Sequence, residues 1–225
     1  MRLLILLPFL FLSASVWGQS TTLMTWNVLN FSENSANRVP YLRTVLDSMK
    51  PELLAVQEIY GEAGAHYFRD EVLQGTMAMA PFTPGPNTDN ALFYDSLLFS
   101  SVSMTVLPTA LRDINWYTLR HTNSGDTLHV FSVHLKSSPG SANELQRKAE
   151  IDSLRLVTDA LPTGSYFIVC GDFNFYGSDE PAYGRLLEQD GTSGYFIDPI
   201  GFKNRFAKYR LSFFIEVHGF NYFFI

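Results

Sequence analysis

Between Ala91 and His134 the sequence holds four apolar, β-prone runs, Ala91–Tyr94, Leu97–Val106, Trp116–His121 and Thr127–His134, with no room between them for a crossover helix. Parallel neighbours need a connection of about a dozen residues or more, so strands joined this closely must pair antiparallel. A plain doubly wound parallel sheet is excluded. The spacing predicts an antiparallel meander, its last two strands joined by the turn Asn123-Ser124-Gly125-Asp126.

Helical patterns flank this stretch. Thr22–Val28 reads as a strand, and Val39, Leu42, Val45, Leu46 and Met49 recur at helical spacing until Lys50-Pro51 ends the pattern. Leu53–Val56 suits a strand buried on both faces, and a second helix is expected over Ala63–Leu73. Pro81–Asn87 reads as a surface loop. A helix over Ala142–Ala160, with Leu145, Ile151, Leu154 and Val157 among its apolar positions, precedes the buried strand Tyr166–Cys170. This order predicts an α/β fold of the α+β type, a layered α/β sandwich of two mixed, largely antiparallel sheets flanked by helices.

A chain of 225 residues, 46% of them hydrophobic, can bury one sizeable core, and no linker divides it. Arg2, the apolar run Leu3–Leu12 and the small residues Val16 and Gly18 have the form of a secretory signal over residues 1–18. The run is too short for a permanent membrane anchor. The expectation is therefore an exported product, secreted or periplasmic, with one domain over residues 19–225 and a monomeric state. The formal charge of −6 argues against a broad basic face for nucleic acid. Cys170 is the single cysteine, which excludes an intramolecular disulfide, and its apolar setting reads as core.

Four apolar strands finish in polar residues: Trp26-Asn27, Gln57-Glu58, Ser132-Val133-His134 and Gly171-Asp172-Phe173-Asn174. Strand ends are where a rigid core presents side chains to water, so active sites collect there. Alone, each also fits an ordinary role: Asn27 as a turn cap, Glu58 as a solvated strand end, His134 as a satisfied interfacial histidine, Asp172 with Asn174 as an Asx-turn.

In this order, the segments Thr25-Trp26-Asn27-Val28, Val56-Gln57-Glu58, Val133-His134-Leu135-Lys136-Ser137-Ser138 and Gly171-Asp172-Phe173-Asn174 resemble the endonuclease/exonuclease/phosphatase family, whose fold is typified by DNase I. Asn90–Ser96 resembles a further strand of that family, in which Tyr94 reads as architecture. The resemblance implies a metal-dependent phosphoesterase, most readily an endonuclease-type hydrolase acting on nucleic acid. Glu58 is a hard oxygen ligand suited to Mg²⁺, with Mn²⁺ or Ca²⁺ as alternatives, and Asn27 beside it would add an oxygen directly or through water. Asp172 could orient and deprotonate the attacking water, Asn174 hold water or phosphate, and His134 donate to a phosphoryl oxygen or protonate the leaving group. Lys136 is a candidate phosphate contact, and Arg147 reads as structural.

The family's pattern closes with a late carboxylate and an adjacent Asp-His pair. After Asp198 this sequence has no aspartate, and its late histidine, His218, lies in Ile215-Glu216-Val217-His218-Gly219. Residues 201–225 form an atypical, aromatic-rich tail with no clear strand alternation, which predicts a second sheet left incomplete at its end. The alternative function is accordingly an inactive, truncated relative that at most binds a phosphate ligand.

Overall fold

The computed structural model describes residues 20–189, 195–198 and the backbone of 213–216. Two strand–helix–strand units organise it. β1 (Leu23–Phe31) and β2 (Leu53–Ile59) pair in parallel through α1 (Val39–Met49). The same arrangement recurs where β7 (Thr127–His134) and β8 (Tyr166–Asp172) pair in parallel through α3 (Ser141–Thr158). A parallel pair cannot be closed by a tight turn, so each helix serves as the crossover and covers the outer face of its own sheet.

The remaining strands extend each pair into a mixed sheet. β3 (Ala78–Met79) and β4 (Asp89–Tyr94) complete the first, in the order β1-β2-β4-β3. β5 (Phe99–Leu107), β6 (Ile114–His121) and β9 (Phe213–Glu216) complete the second, in the order β5-β6-β7-β8-β9. Two mixed, largely antiparallel sheets between helical layers are thus present, as the order of elements predicts.

The meander is shorter than expected. β5, β6 and β7 pair antiparallel in succession, but β4 joins the first sheet, antiparallel to β2. Its side chains explain this: Ala91 and Phe93 pack in the core beneath α1 and α2 (Gly61–Tyr67), while Leu92 faces the second sheet. A strand buried on both faces needs an interior position, and the edge of a meander offers none. The tail also differs from expectation, because β9 pairs antiparallel with Phe167–Cys170 and gives β8 a second neighbour there. Phe213-Phe214-Ile215-Glu216 shows no apolar/polar alternation, which is why the sequence shows no strand signal at this point.

Three apolar clusters separate the layers. One lies between the sheets, where Leu53, Ala55 and Leu92 meet Tyr117, Leu119, Val130, Ile168 and Cys170. Another packs α1 and α2 on the first sheet, and the third packs α3 and α4 (Pro181–Leu186) on the second. Cys170 is core: it is buried, and burial pushes its thiol up to about 12. Among the described residues no helix is long and apolar enough to cross a membrane.

Helical spacing assigned some positions to the wrong face. Val45 and Leu145 are 38% and 60% exposed, while α3 buries Arg147, Glu150, Ile151, Leu154, Arg155 and Thr158. Polar residues are tolerated there because they find partners. Arg147 donates to both carboxylate oxygens of Glu180, at 2.7 and 3.0 Å, and to the carbonyls of Lys136 and Ser138. This buried pair ties α3 to the segments following β7 and β8. Arg147→Met should lower stability by about 3 kcal/mol or more, because one partner of a buried ion pair is left behind, and Arg147→Met with Glu180→Gln should regain most of the loss. Urea unfolding curves of the single and double variants measure both.

Candidate active site

The C-terminal ends of the two parallel pairs emerge side by side. Asn27 stands on β1, Glu58 on β2, His134 on β7 and Asp172 on β8, with His134 directly opposite Asp172 in the ladder. Asn27 Nδ2 donates to Glu58 Oε1 at 2.8 Å and to Asp172 Oδ2 at 3.0 Å, so one amide spans both sheets. His134 Nε2 lies 3.7 Å from Glu58 Oε1 and 3.8 Å from Asp172 Oδ2. Oxygens of two carboxylates, one from each sheet, thus face the same ring nitrogen. All four sequence-predicted strand-end residues meet here.

The local backbone is built to aim them. The β1–β2 register breaks after Asn27 and the β2–β4 register after Val56, bulges that turn the following side chains out of strand alternation. Glu58 itself has φ +61°, with Leu29 and Asn30 at +49° and +51°, Ser138 at +80° and Asn174 at +51°. Left-handed backbone at non-glycine residues costs about 1–3 kcal/mol each and persists where the surroundings enforce it, typically at functional sites. Their clustering at these strand ends is an indication of function independent of the motifs. Asn30 N–H donates to Glu58 Oε2, and Leu29 N–H to Asn27 Oδ1, which fixes both side chains from the strained segment.

Asn174 is turned inward. Its N–H donates to Asp172 Oδ1 at 3.1 Å and its Nδ2 to the Leu135 carbonyl at 3.0 Å, and the residue is 1% exposed. In this geometry it positions Asp172. Asn27 presents its amide nitrogen to the acids, so an oxygen contact from Asn27 to a cation requires the amide to rotate. Lys136 donates from Nζ to the Ser137 carbonyl and from its backbone N–H to Glu150, whose carboxyl burial pushes upward against the opposing N–H. Gln57 is buried between the sheets, accepting from Thr25 and donating to Ser132 Oγ at 3.2 Å. Tyr94 opposes Leu53, at the far end of β2 from Glu58, consistent with architecture.

Sequence reasoning passed over Arg112. It lies on the segment between β5 and β6, is partly buried, and donates to the Leu135 carbonyl at 3.4 Å. Burial draws its guanidinium below the usual arginine value, against the opposing pull of Glu58, Glu150 and Asp172. An arginine in an irregular connection carries no periodic signal, and only the fold brings it toward the acids.

Hard oxygen donors suit a small divalent cation, and Mg²⁺ keeps several waters while using one or two carboxylates. Glu58, with the amide of Asn27 beside it, matches that donor chemistry. Among the described residues no group of three or more His, Cys, Asp or Glu side chains is arranged so that it could hold a metal ion.

A sequence profile of the Endonuclease/Exonuclease/phosphatase family matches residues 24–211, and the chain belongs to that family. No curated protein matches. Among solved structures, the human Nocturnin catalytic domain with bound sulfate anion is 22% identical, with a TM-score of 0.58, over 74% of this chain and 69% of that one. A D. rerio TDP2 complexed with single strand DNA product is 15% identical, with a TM-score of 0.58, over 86% and 82%. The Bacteroides thetaiotaomicron mannosyl-6-phosphatase Bt3783 is 15% identical, with a TM-score of 0.54, over 74% and 69%. These likenesses establish the DNase I-like fold. The tail in which the family's late carboxylate and Asp-His pair were sought, residues 201–225, lies outside the described residues apart from the backbone of 213–216.

Gly171 shows how tightly the site is built. Its φ is +137°, and a Cβ there would stand 2.0 Å from the Val133 carbonyl oxygen, inside the β7–β8 ladder that sets His134 against Asp172. Gly171→Ala should cost about 3 kcal/mol, lowering the melting temperature by roughly 6–12 °C. A calorimetric scan measures this directly.

Proposed function

We propose that the chain is an exported, divalent-metal-dependent phosphoesterase, an endonuclease-type hydrolase that cleaves phosphodiester bonds by attack of water. The observation that carries this reading is the meeting of Asn27, Glu58, His134 and Asp172 where β1 breaks register and β2, β7 and β8 end, two strands from each sheet. Membership of the family supports the reaction class, and the signal-like residues 1–18 support export.

Hydrolysis adds water across a P–O bond, so one proton must leave the water and one must reach the departing oxygen. Asp172, held by Asn174 and Asn27, has a carboxylate placed to take the first. His134, facing the same carboxylate, is the group able to deliver the second. Glu58, with Asn27 beside it, would hold the cation, which when bound supplies Lewis acidity that neutralises charge on the phosphoryl oxygens. Arg112 adds positive charge on the β5–β6 side, which Lys136, turned to the Ser137 carbonyl, supplies less directly.

Mg²⁺-dependent cleavage of plasmid DNA and of bis-p-nitrophenyl phosphate tests the reading. Glu58→Ala and Asp172→Asn should each reduce kcat/KM by at least about 10²-fold, as removal of a ligand or of a general base does. Metal-dependent binding of a phosphate compound by a folded protein that cleaves neither substrate would instead support the inactive-relative reading. Export is tested separately: N-terminal sequencing of the released product should begin near Gln19.

A further inference from the structure

Leu29, Tyr60 and Tyr176 are 65%, 52% and 42% exposed, and each stands two residues beyond a site residue, after Asn27, Glu58 and Asn174 respectively. Two residues of chain span at most about 7 Å, so the backbone of each stays within that distance of its site residue. Large apolar groups left in water at one place on a folded chain mark a binding surface more often than scattered ones do.

These side chains sit on backbone that is held in place. The Tyr176 ring has the buried Arg147 guanidinium 5.3 Å from its centre, and its hydroxyl oxygen accepts from the Ser138 N–H at 3.1 Å. Its N–H donates to Glu180 Oε1 at 2.6 Å. Tyr60 is joined through its N–H to the Phe31 carbonyl, and the next N–H, that of Gly61, donates to Asp89. Arg38 donates to the carbonyls of Val28 and Leu29, securing the strained segment that carries Leu29. Tyr60 and Leu29 are thus held on the segments that follow Glu58 and Asn27 in the first sheet, and Tyr176 on the segment that follows β8 in the second.

Of the neighbouring cations, Arg38 is spent on two carbonyls, Arg147 on Glu180 and Lys136 on Ser137, while Arg112 donates to the Leu135 carbonyl and faces Glu58 and Asp172. The chain carries a net charge of −6, so a basic track along a duplex backbone is not what surrounds these acids. Aromatic faces beside a phosphate site bind planar groups by stacking, which every nucleobase offers once it is unpaired.

Building on the phosphodiesterase reading, we propose that Tyr60 and Tyr176 form stacking platforms on either side of the scissile phosphate, selecting single-stranded nucleic acid over duplex and over small phosphate esters. The full chain would be assayed on an eight-residue oligothymidylate, on the same strand in duplex, on methyl p-nitrophenyl phosphate and on a hexose 6-phosphate. Tyr60→Ala and Tyr176→Ala should each lower selectivity for the single strand over methyl p-nitrophenyl phosphate by about tenfold, chiefly through KM, as loss of one base stack does. Tyr41→Ala, which removes an exposed tyrosine of α1, should leave that ratio as it is. A ratio unchanged in both site variants would overturn the proposal, as would faster turnover of duplex or of the sugar phosphate than of the single strand. Should the wild-type chain hydrolyse none of these, the phosphodiesterase reading fails separately, and fluorescence anisotropy of the labelled oligonucleotide decides the stacking. Binding weakened about tenfold by either alanine supports it, and binding unaffected by both, or absent from the wild type, overturns it.

Discussion

The amide nitrogen of Asn27 donates to a carboxylate of its own sheet, Glu58, and to one of the opposite sheet, Asp172. Apolar packing between two sheets is non-directional and fixes their relative position only loosely, whereas hydrogen bonds in a low-dielectric interior fail when displaced by an ångström. Two further links cross the same gap behind it. Gln57 donates to Ser132, and Asn90 donates to Asn115 and to the Ser132 carbonyl. The candidate chemistry and the register of the sandwich therefore rest on one contiguous set of polar contacts.

Much of the architecture was legible because the controlling signals are local. Helical spacing from Val39 to Met49 and the continuous apolar runs of β2 and β8 correspond closely to elements in the structure. The four strand-end residues were legible for a related reason: an apolar run that stops abruptly at Glu58 or at Asp172 marks the rim of a core.

What the sequence hid depends on long-range pairing. Nothing in Asp89–Tyr94 states that it pairs with β2 instead of with the strand that follows it. The inward turn of Asn174 depends on the Leu135 carbonyl, 39 residues away, and the approach of Arg112 depends on how the β5–β6 connection folds back. The left-handed φ of Glu58 is equally silent, since a glutamate gives no hint of the conformation that its neighbours impose. Leu145 lay on the predicted apolar stripe, yet α3 turns Arg147 inward instead, because Glu180 supplies a partner that periodicity cannot reveal.

The division of the site between two strand–helix–strand units has a consequence for how competence arises. One unit contributes Asn27 and Glu58, the other His134 and Asp172, and neither holds a complete set. A chain with one unit formed does not assemble the candidate site, because Glu58, His134 and Asp172 come together only where the two sheets meet. Assembly of the candidate site is therefore tied to closure of the core between the sheets, and whatever loosens that core separates the two halves of the site.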